Sequence, residues 1–378
     1  MIATTHNSQT RVAGCVAAIG LVVGFCLLWP ALSRADNRDV FPPPLAWVSE
    51  NEQDHPLVGK VWSRQANGLV APQVLGTAIA KARFSLLGEV HDNPDHHLWQ
   101  AWGIRNISKL RGARIVEGAP QIEVVAMEMV RADQIPTLDK FYGRNAQVPR
   151  PRGAKAFGRM LKWNKSGWSD YKIYQPIVEA ALADQFVLVP ASPSREESRS
   201  VSKKGIAALR PDDAKALALT TAFGAKTISA MEEELREGHC GLLPEKAISP
   251  MRRVQRFRDA IMADALMNVS AEKGGILIAG NGHIRRDRAV PWYLQARGVA
   301  PETIVSVAHI EVKKGNNDPS WYLPRDEDGK PAVDFAVFTP APKREDMCEK
   351  MRAHMAAKSK AKSKKQPDSA KAADKAKQ

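Results

Sequence analysis

Six short apolar runs punctuate the chain, each bounded by Gly, Pro, Asn or Asp: Phe84–Val90 (FSLLGEV), Glu123–Val130, Phe186–Ser192, Gly275–Gly282 (GILIAGNG), Thr303–Val312 and Asp334–Pro340. Their apolar positions are continuous, not alternating, which predicts strands covered on both faces. Between most of them the apolar spacing changes to that of a helix. After the first run Asn93 stands at a capping position and Pro94 suits the first helical turn. Trp99, Trp102, Ile107 and Leu110 then share one stripe. YQPIVEAALAD precedes the third run, and AVPWYLQARG follows the fourth. Strands alternating with helices predict an α/β fold, a mostly parallel central sheet flanked by helices. The third and fourth runs are separated by about eighty residues of helical pattern, with Val254, Phe257, Ile261 and Ala265 in register. An all-helical insertion subdomain is therefore expected at about 194–270, capping the sheet.

The flanks differ from this body. Residues 1–35 carry Arg11, an apolar stretch from Val12 to Trp29, and then Ser33-Arg34-Ala35. That order predicts a signal peptide with Asp36 as the mature start, or a retained N-terminal anchor, since the stretch is long enough to span a bilayer. Either way an exported body, periplasmic or membrane-associated, is expected. Residues 36–71 show no period and read as an irregular lead-in to a domain over 72–345. The lysine-rich segment 346–378 reads as a disordered tail.

The formal net charge of +14 is unevenly placed. From Lys358 to Gln378 there are eight lysines against two aspartates, and the first 35 residues add two arginines with no acid. The body keeps a modest excess of +6, so no nucleic-acid partner is expected. Cys15 and Cys26 fall in the N-terminal stretch, leaving Cys240 and Cys348, which form no disulfide framework. Their pairing stays open at this level.

Chemistry gathers at strand ends, where parallel α/β sheets bind their ligands. The first run ends in Gly88-Glu89-Val90-His91 and the fourth in Gly280-Asn281-Gly282-His283. A Gly-x-x-His thus occurs twice at equivalent places. The second run carries Glu128 near its end. If these strands are neighbours, Glu89, His91, Glu128 and His283 converge on one rim, as a catalytic acid–base set or as ligands of a divalent metal. A purely structural hydrogen-bonded rim is the plainer alternative. His96 and His97, in the first helical turn, read as surface residues. Arg285, Arg286 and Arg288 after His283 read either as a solvated loop or as a grip on an anion. In the insertion, RFRDAIMADALM places Arg258 and Asp259 beside Met262 and Met267. Methionines at that spacing commonly fill cores, yet an apolar cap over a polar rim also suits haem, whose iron takes His, Tyr, Met or Cys. Of five tyrosines, Tyr293 lies nearest the His283 segment in sequence.

LLGEVHDNPDHH, HCGLLPE, QRFRDAIMADAL, GNGHIRRDRAVPWYL and DFAVFTP, in that order over roughly residues 70–340, resemble the ChaN-like haem-binding uptake proteins of the superfamily shared with the Tiki proteases, TraB proteins and erythromycin esterases. The resemblance implies an exported protein of haem or iron uptake. Haem would sit between the sheet rim and the helical cap, with Tyr293, Arg285, Arg258 and Met262 as candidate contacts. A tyrosine as iron ligand, a homodimer and outer-membrane uptake machinery as partner are implied likewise. In the superfamily's enzymes the paired Gly-x-x-His motif with a nearby glutamate forms the catalytic or metal centre. This keeps a metal-dependent or His/Glu-based hydrolase as the alternative function.

Overall fold

The structure, a computed structural model, describes residues 40–112, 121–143, 152–269 and 273–364. The N-terminal segment 1–35, read above as a signal or anchor, lies outside the described residues. Among these, no helix is long and apolar enough to cross a membrane.

In chain order the strands are β1 (Val61–Ser63), β2 (Gly68–Val70), β3 (Phe84–Leu87), β4 (Gln121–Arg131), β5 (Val187–Ser192), β6 (Lys273–Ile278), β7 (Ile304–Glu311) and β8 (Phe335–Thr339). They form one sheet in the order β2-β1-β8-β7-β3-β6-β4-β5. β3 through β8 are the six runs read from the sequence, and all pair parallel. β1 and β2 form an antiparallel hairpin that joins the sheet through β8. The lead-in at 36–71 is thus not wholly irregular. Its two strands are three residues each, too short to show a period of two. At the opposite edge β5 carries Pro190, which removes one backbone donor from the outermost strand.

The helices are α1 (Pro72–Lys81), α2 (Pro94–Gly112), α3 (Ile135–Tyr142), α4 (Ala154–Met160), α5 (Tyr171–Ala183), α6 (Arg195–Lys204), α7 (Pro211–Ala216), α8 (Ala225–Gly238), α9 (Glu245–Met267), α10 (Val290–Ala296) and α11 (Met347–Lys364). Each face of the sheet has its own core. On one side Leu75, Ile79, Trp99, Ile107, Ile177 and Val178 from α1, α2 and α5 pack against Val125, Met127, Ile276 and Ile278. On the other, Phe257, Ala260, Ala263 and Leu266 of α9 and Leu294 of α10 pack against Phe84, Leu86 and Leu277. Double coverage explains why the strand runs are continuously apolar. The expected all-helical insertion is α6 through α9, and its longest helix, α9, also serves as a cover of the sheet.

Asn93 caps α2, its Oδ1 accepting from the Asp95 amide at 2.9 Å. The lead-in lies across this helix. The amides of Val48 and Ser49 donate to Asp95 at 2.8 and 2.9 Å, and the indole of Trp102 donates to Phe41 O at 2.9 Å. One expectation is overturned on the same helix: His96 and His97 are fully buried, not surface residues, since they face the sheet and α5.

Of the segment 346–378 read as a disordered tail, residues 365–378 lie outside the described residues. Residues Met347–Lys364 are helical, in keeping with the helix-favouring Ala, Lys, Met and Glu that fill it. Cys348 at its start is joined by a disulfide to Cys240 in the turn after α8.

Candidate functional site

β3, β6 and β4 are consecutive in the sheet, so their carboxyl ends present Glu89, His91, His283 and Glu128 at one rim. All four line a single cavity of about 450 Å³ under the helical insertion, with Met231, Gln255, Arg258, Asp259 and Arg288 on its other walls. Two glycines permit this approach. A Cβ on Gly280 would stand 3.0 Å from Cε1 and Nε2 of His91, and one on Gly88 would meet Asn281 Oδ1 at 2.3 Å. Glu128 is aimed by an irregularity in β4. Met127 pairs with Pro190 and Arg131 with Ser192, so the β4 segment between them is longer than its β5 counterpart and bulges at the rim.

Glu89 is the hub of the first half of the site. Its Oε1 accepts from His91 Nδ1 at 2.8 Å and from the Tyr174 hydroxyl at 3.2 Å. Its Oε2 accepts from Gln100 Nε2 at 2.9 Å and has His97 Nε2 at 3.3 Å, close but off the line of a hydrogen bond. Burial would raise the pKa of this carboxyl. The neighbouring imidazole of His97 and the hydrogen bond from His91 outweigh burial and lower it to about 2. With both oxygens engaged, Glu89 orients His91. His91 leaves Nε2 3.9 Å from Glu128 Oε1, its ring against the edge of Trp168. Burial opposes protonation of His91, but the bond to Glu89 and the charge of Glu128 raise its pKa.

The second half is a buried chain of charges. His283 Nδ1 donates to Asp259 Oδ1 at 2.6 Å, and its Nε2 lies 3.4 Å from Glu128 Oε1. Glu128 also accepts from the Gly280 amide at 2.7 Å and from Arg258. Burial disfavours the charged imidazole, yet the carboxylates on either side lift the His283 pKa to about 9. Burial would raise Glu128 too, but the cations His283 and Arg258 hold it well below the usual range. Asp259 is raised, chiefly by burial. At neutral pH His283 is an imidazolium between two acids.

This arrangement makes stability depend on pH. The His283 contribution is full below its unfolded pKa near 6.5 and is lost as pH rises through about 9. We expect urea-unfolding free energies to fall by on the order of 3 kcal/mol across that window. His283→Gln should flatten the decline, and an equally steep alkaline limb in that variant would contradict the assignment.

Below the rim three buried histidines hold the Gly88–His91 loop. His96 Nδ1 accepts from the Val90 amide at 2.8 Å, and its Nε2 donates to Thr339 at 2.8 Å. His309 Nδ1 donates to Gly88 O at 2.6 Å. Burial lowers the pKa of both, His309 to about 4. His97 stacks on Tyr174 with ring centroids 4.1 Å apart. The supporting roles of His96, His97 and Gln100 were not read from the sequence. The signal was present as polar residues at helical spacing on a helix whose other inward positions are mostly apolar.

The remaining sequence candidates divide. Arg258 lines the cavity. Tyr293 does not: its ring is fully buried among Phe223 and Trp292, and its hydroxyl accepts from Arg256 Nε at 2.9 Å. Met262 is core, and Arg285 is turned to Asp287 and Arg325 O. None of these three lines the rim cavity: the turn between β6 and α10 carries Arg285 and Tyr293 away from it, and α9 turns Met262 into the core. The hydroxyls of Tyr171 and Tyr322 are bonded to backbone carbonyls away from the rim, and that of Tyr174 to Glu89 and to His91 O within it. Among the described residues no group of three or more His, Cys, Asp or Glu is disposed to hold a metal ion.

A parallel α/β sheet with two carboxylate-backed imidazoles at its rim, roofed by a helical insertion, defines the class. Residues 75–294 match the model of the family described as haem-binding uptake, Tiki superfamily, ChaN; this is more than half of the chain, and the chain belongs to that family. A solved structure described as cofacial haem binding to ChaN of Campylobacter jejuni is 19% identical, with a TM-score of 0.55, covering 73% of this chain and 95% of that one. It supports the fold. More distant likenesses, too low in TM-score to carry weight, are the type III effector HopBA1 (12% identity, TM-score 0.37, 71% and 93% covered) and the erythromycin esterase EreC (14%, 0.37, 76% and 99%). No curated protein matches the sequence.

Proposed function

We propose that this protein is an exported haem-binding protein of haem or iron uptake, and that it holds haem in the rim cavity with His91 as the iron ligand. The observation that carries the ligand assignment is the Glu89–His91 pair. A carboxylate accepting from Nδ1 fixes the tautomer and leaves Nε2 as the coordinating atom, the arrangement that supports metal-bound histidines generally. The cavity suits the rest of the group: Val90, Met231, Leu235 and Ala289 offer apolar contact, and Arg258 and Arg288, paired with Glu128 and with Glu234, stand in the wall where a haem carboxylate would compete for them. Haem supplies the iron centre; the chain orients His91, partly shields the pocket and neutralises charge. A disulfide between Cys240 and Cys348 supports export, since such bonds persist in oxidising compartments.

Haem titration of the purified protein is expected to give a saturable shift of the Soret band. His91→Ala should weaken binding by about tenfold or more, as loss of the axial bond or its support does, while Tyr293→Phe leaves it unchanged. Saturable binding indifferent to His91→Ala would remove the ligand assignment, and no saturable binding would remove the reading.

One observation favours a second reading, a hydrolase. Glu89–His91 and Asp259–His283 are two imidazole–carboxylate pairs facing one cavity, one half-exposed and one held protonated, which is the disposition of a general base and an acid. Turnover of an ester panel, abolished by His91→Ala in haem-free protein, would establish it in place of the first.

A further inference from the structure

We propose that a cationic trough beside the histidine cavity is a binding site for a small phosphate-type ligand carrying at least two negative charges. The trough lies at the carboxyl ends of β4 and β5, across the Glu128–Arg258 pair from the haem cavity. It consists of a cavity of about 450 Å³ and one of about 250 Å³ that share Arg131, Ser166 and Arg195. Together their walls bring Arg131, Lys162, Lys165, Arg195, Arg199 and Arg258 around one opening, against a single carboxylate, Glu128.

Two of these cations are already used. Arg131 is bonded twice to Asp133, at 2.9 and 3.1 Å, and Arg258 is bonded to Glu128. Lys162, Lys165 and Arg199 make no ion pair among the described residues, and Arg195 has only the distant charge of Asp133.

Local stability does not account for the gathering. Arg195 is the first residue of α6, where a positive charge runs against the helix dipole. Ser194 and Glu197 already cap that helix end reciprocally, at 2.7 and 3.1 Å. Arg195 and Arg199, four residues apart, lie on one face of the helix and repel each other. Lys162 holds a left-handed backbone, φ 51°, a conformation costly for a residue with a Cβ. A multiply charged oxyanion removes the repulsion and takes the forked guanidinium hydrogen bonds that Arg offers phosphate. A group with one charge would leave most of the cations unmatched. The trough contains no imidazole and does not depend on the haem reading.

The test is calorimetric titration of the whole protein with pyrophosphate at low ionic strength. Saturable binding is expected, weakening as salt is added. The double variant Arg195→Ala/Arg199→Ala should bind about tenfold or more weakly, since two charge-assisted partners are lost. Both side chains are exposed, and unchanged circular dichroism and melting temperature will show that the variant folds. Absence of saturable heat, or equal affinity in the double variant, would overturn the proposal. Pyrophosphate binding should persist on haem-saturated protein; its displacement by haem would assign these arginines to the haem carboxylates and overturn the proposal as well. If the protein binds no haem, the pyrophosphate result still stands by itself.

Discussion

Glu89→Ala is expected to lower the free energy of unfolding by about 4 kcal/mol, the scale on which removal of one partner from a buried charge network acts. The reason lies in how many groups depend on that carboxylate. Tyr174, Gln100 and His91 all donate to it, and His97 stands 3.3 Å away. In the alanine variant the Tyr174 and Gln100 donors keep only backbone carbonyls, and His97 keeps no charged neighbour. Desolvated polar groups without partners cost about 1–3 kcal/mol each. Glu89→Gln retains the shape and one acceptor and should lose about half as much. Urea unfolding followed by near-ultraviolet circular dichroism measures both. A Glu89→Ala variant within experimental error of the parent would show that the carboxylate is not the hub described here. His91 would also lose its orientation, so haem affinity should fall in parallel with stability.

Reduction of the Cys240–Cys348 bond is expected to have an effect of similar size. The two residues are 108 apart in sequence, and closing a loop of that length restricts the unfolded chain by about 5 kcal/mol. The loss should be local before it is global. Cys240 ends the turn after α8, and α8 supplies Met231, Glu234 and Leu235 to the cavity wall. Hydrogen exchange in reducing buffer should therefore accelerate first between residues 225 and 245. The melting temperature of Cys240→Ser should fall to that of the reduced parent. Identical melting of oxidised and reduced protein would rule out a stabilising role for the bond.

The parts of the fold visible in the sequence are those decided by local pattern. β3 through β8 are buried on both faces, and an apolar run needs no knowledge of its neighbours to be recognised. The convergence of His91 and His283 followed from placing two equivalent strand ends side by side, which β3 and β6 are. What local pattern cannot carry is tertiary cover. His96 and His97 follow a helix cap and look exposed, but the Gly88–His91 loop, Thr339 and His309 enclose the first and Tyr174 of α5 covers the second. Tyr293 stood closest to the His283 segment along the chain, yet a helix begins three residues before it and directs the ring to Arg256 on α9. Asp259 was visible beside Arg258, but that the two flank opposite ends of the Glu128–His283 pair depends on which face α9 turns to the sheet. β1 and β2 were missed because strands of three residues have no periodicity to detect.

The two ends of the sheet bear on how this chain behaves when crowded. One side finishes in a hairpin strand of three residues and the other in a strand interrupted by Pro190. Neither offers a long row of free amides and carbonyls for a passing chain to pair with. Fibril growth by edge-to-edge stacking is accordingly disfavoured, because a strand added at either end would find few groups to pair with.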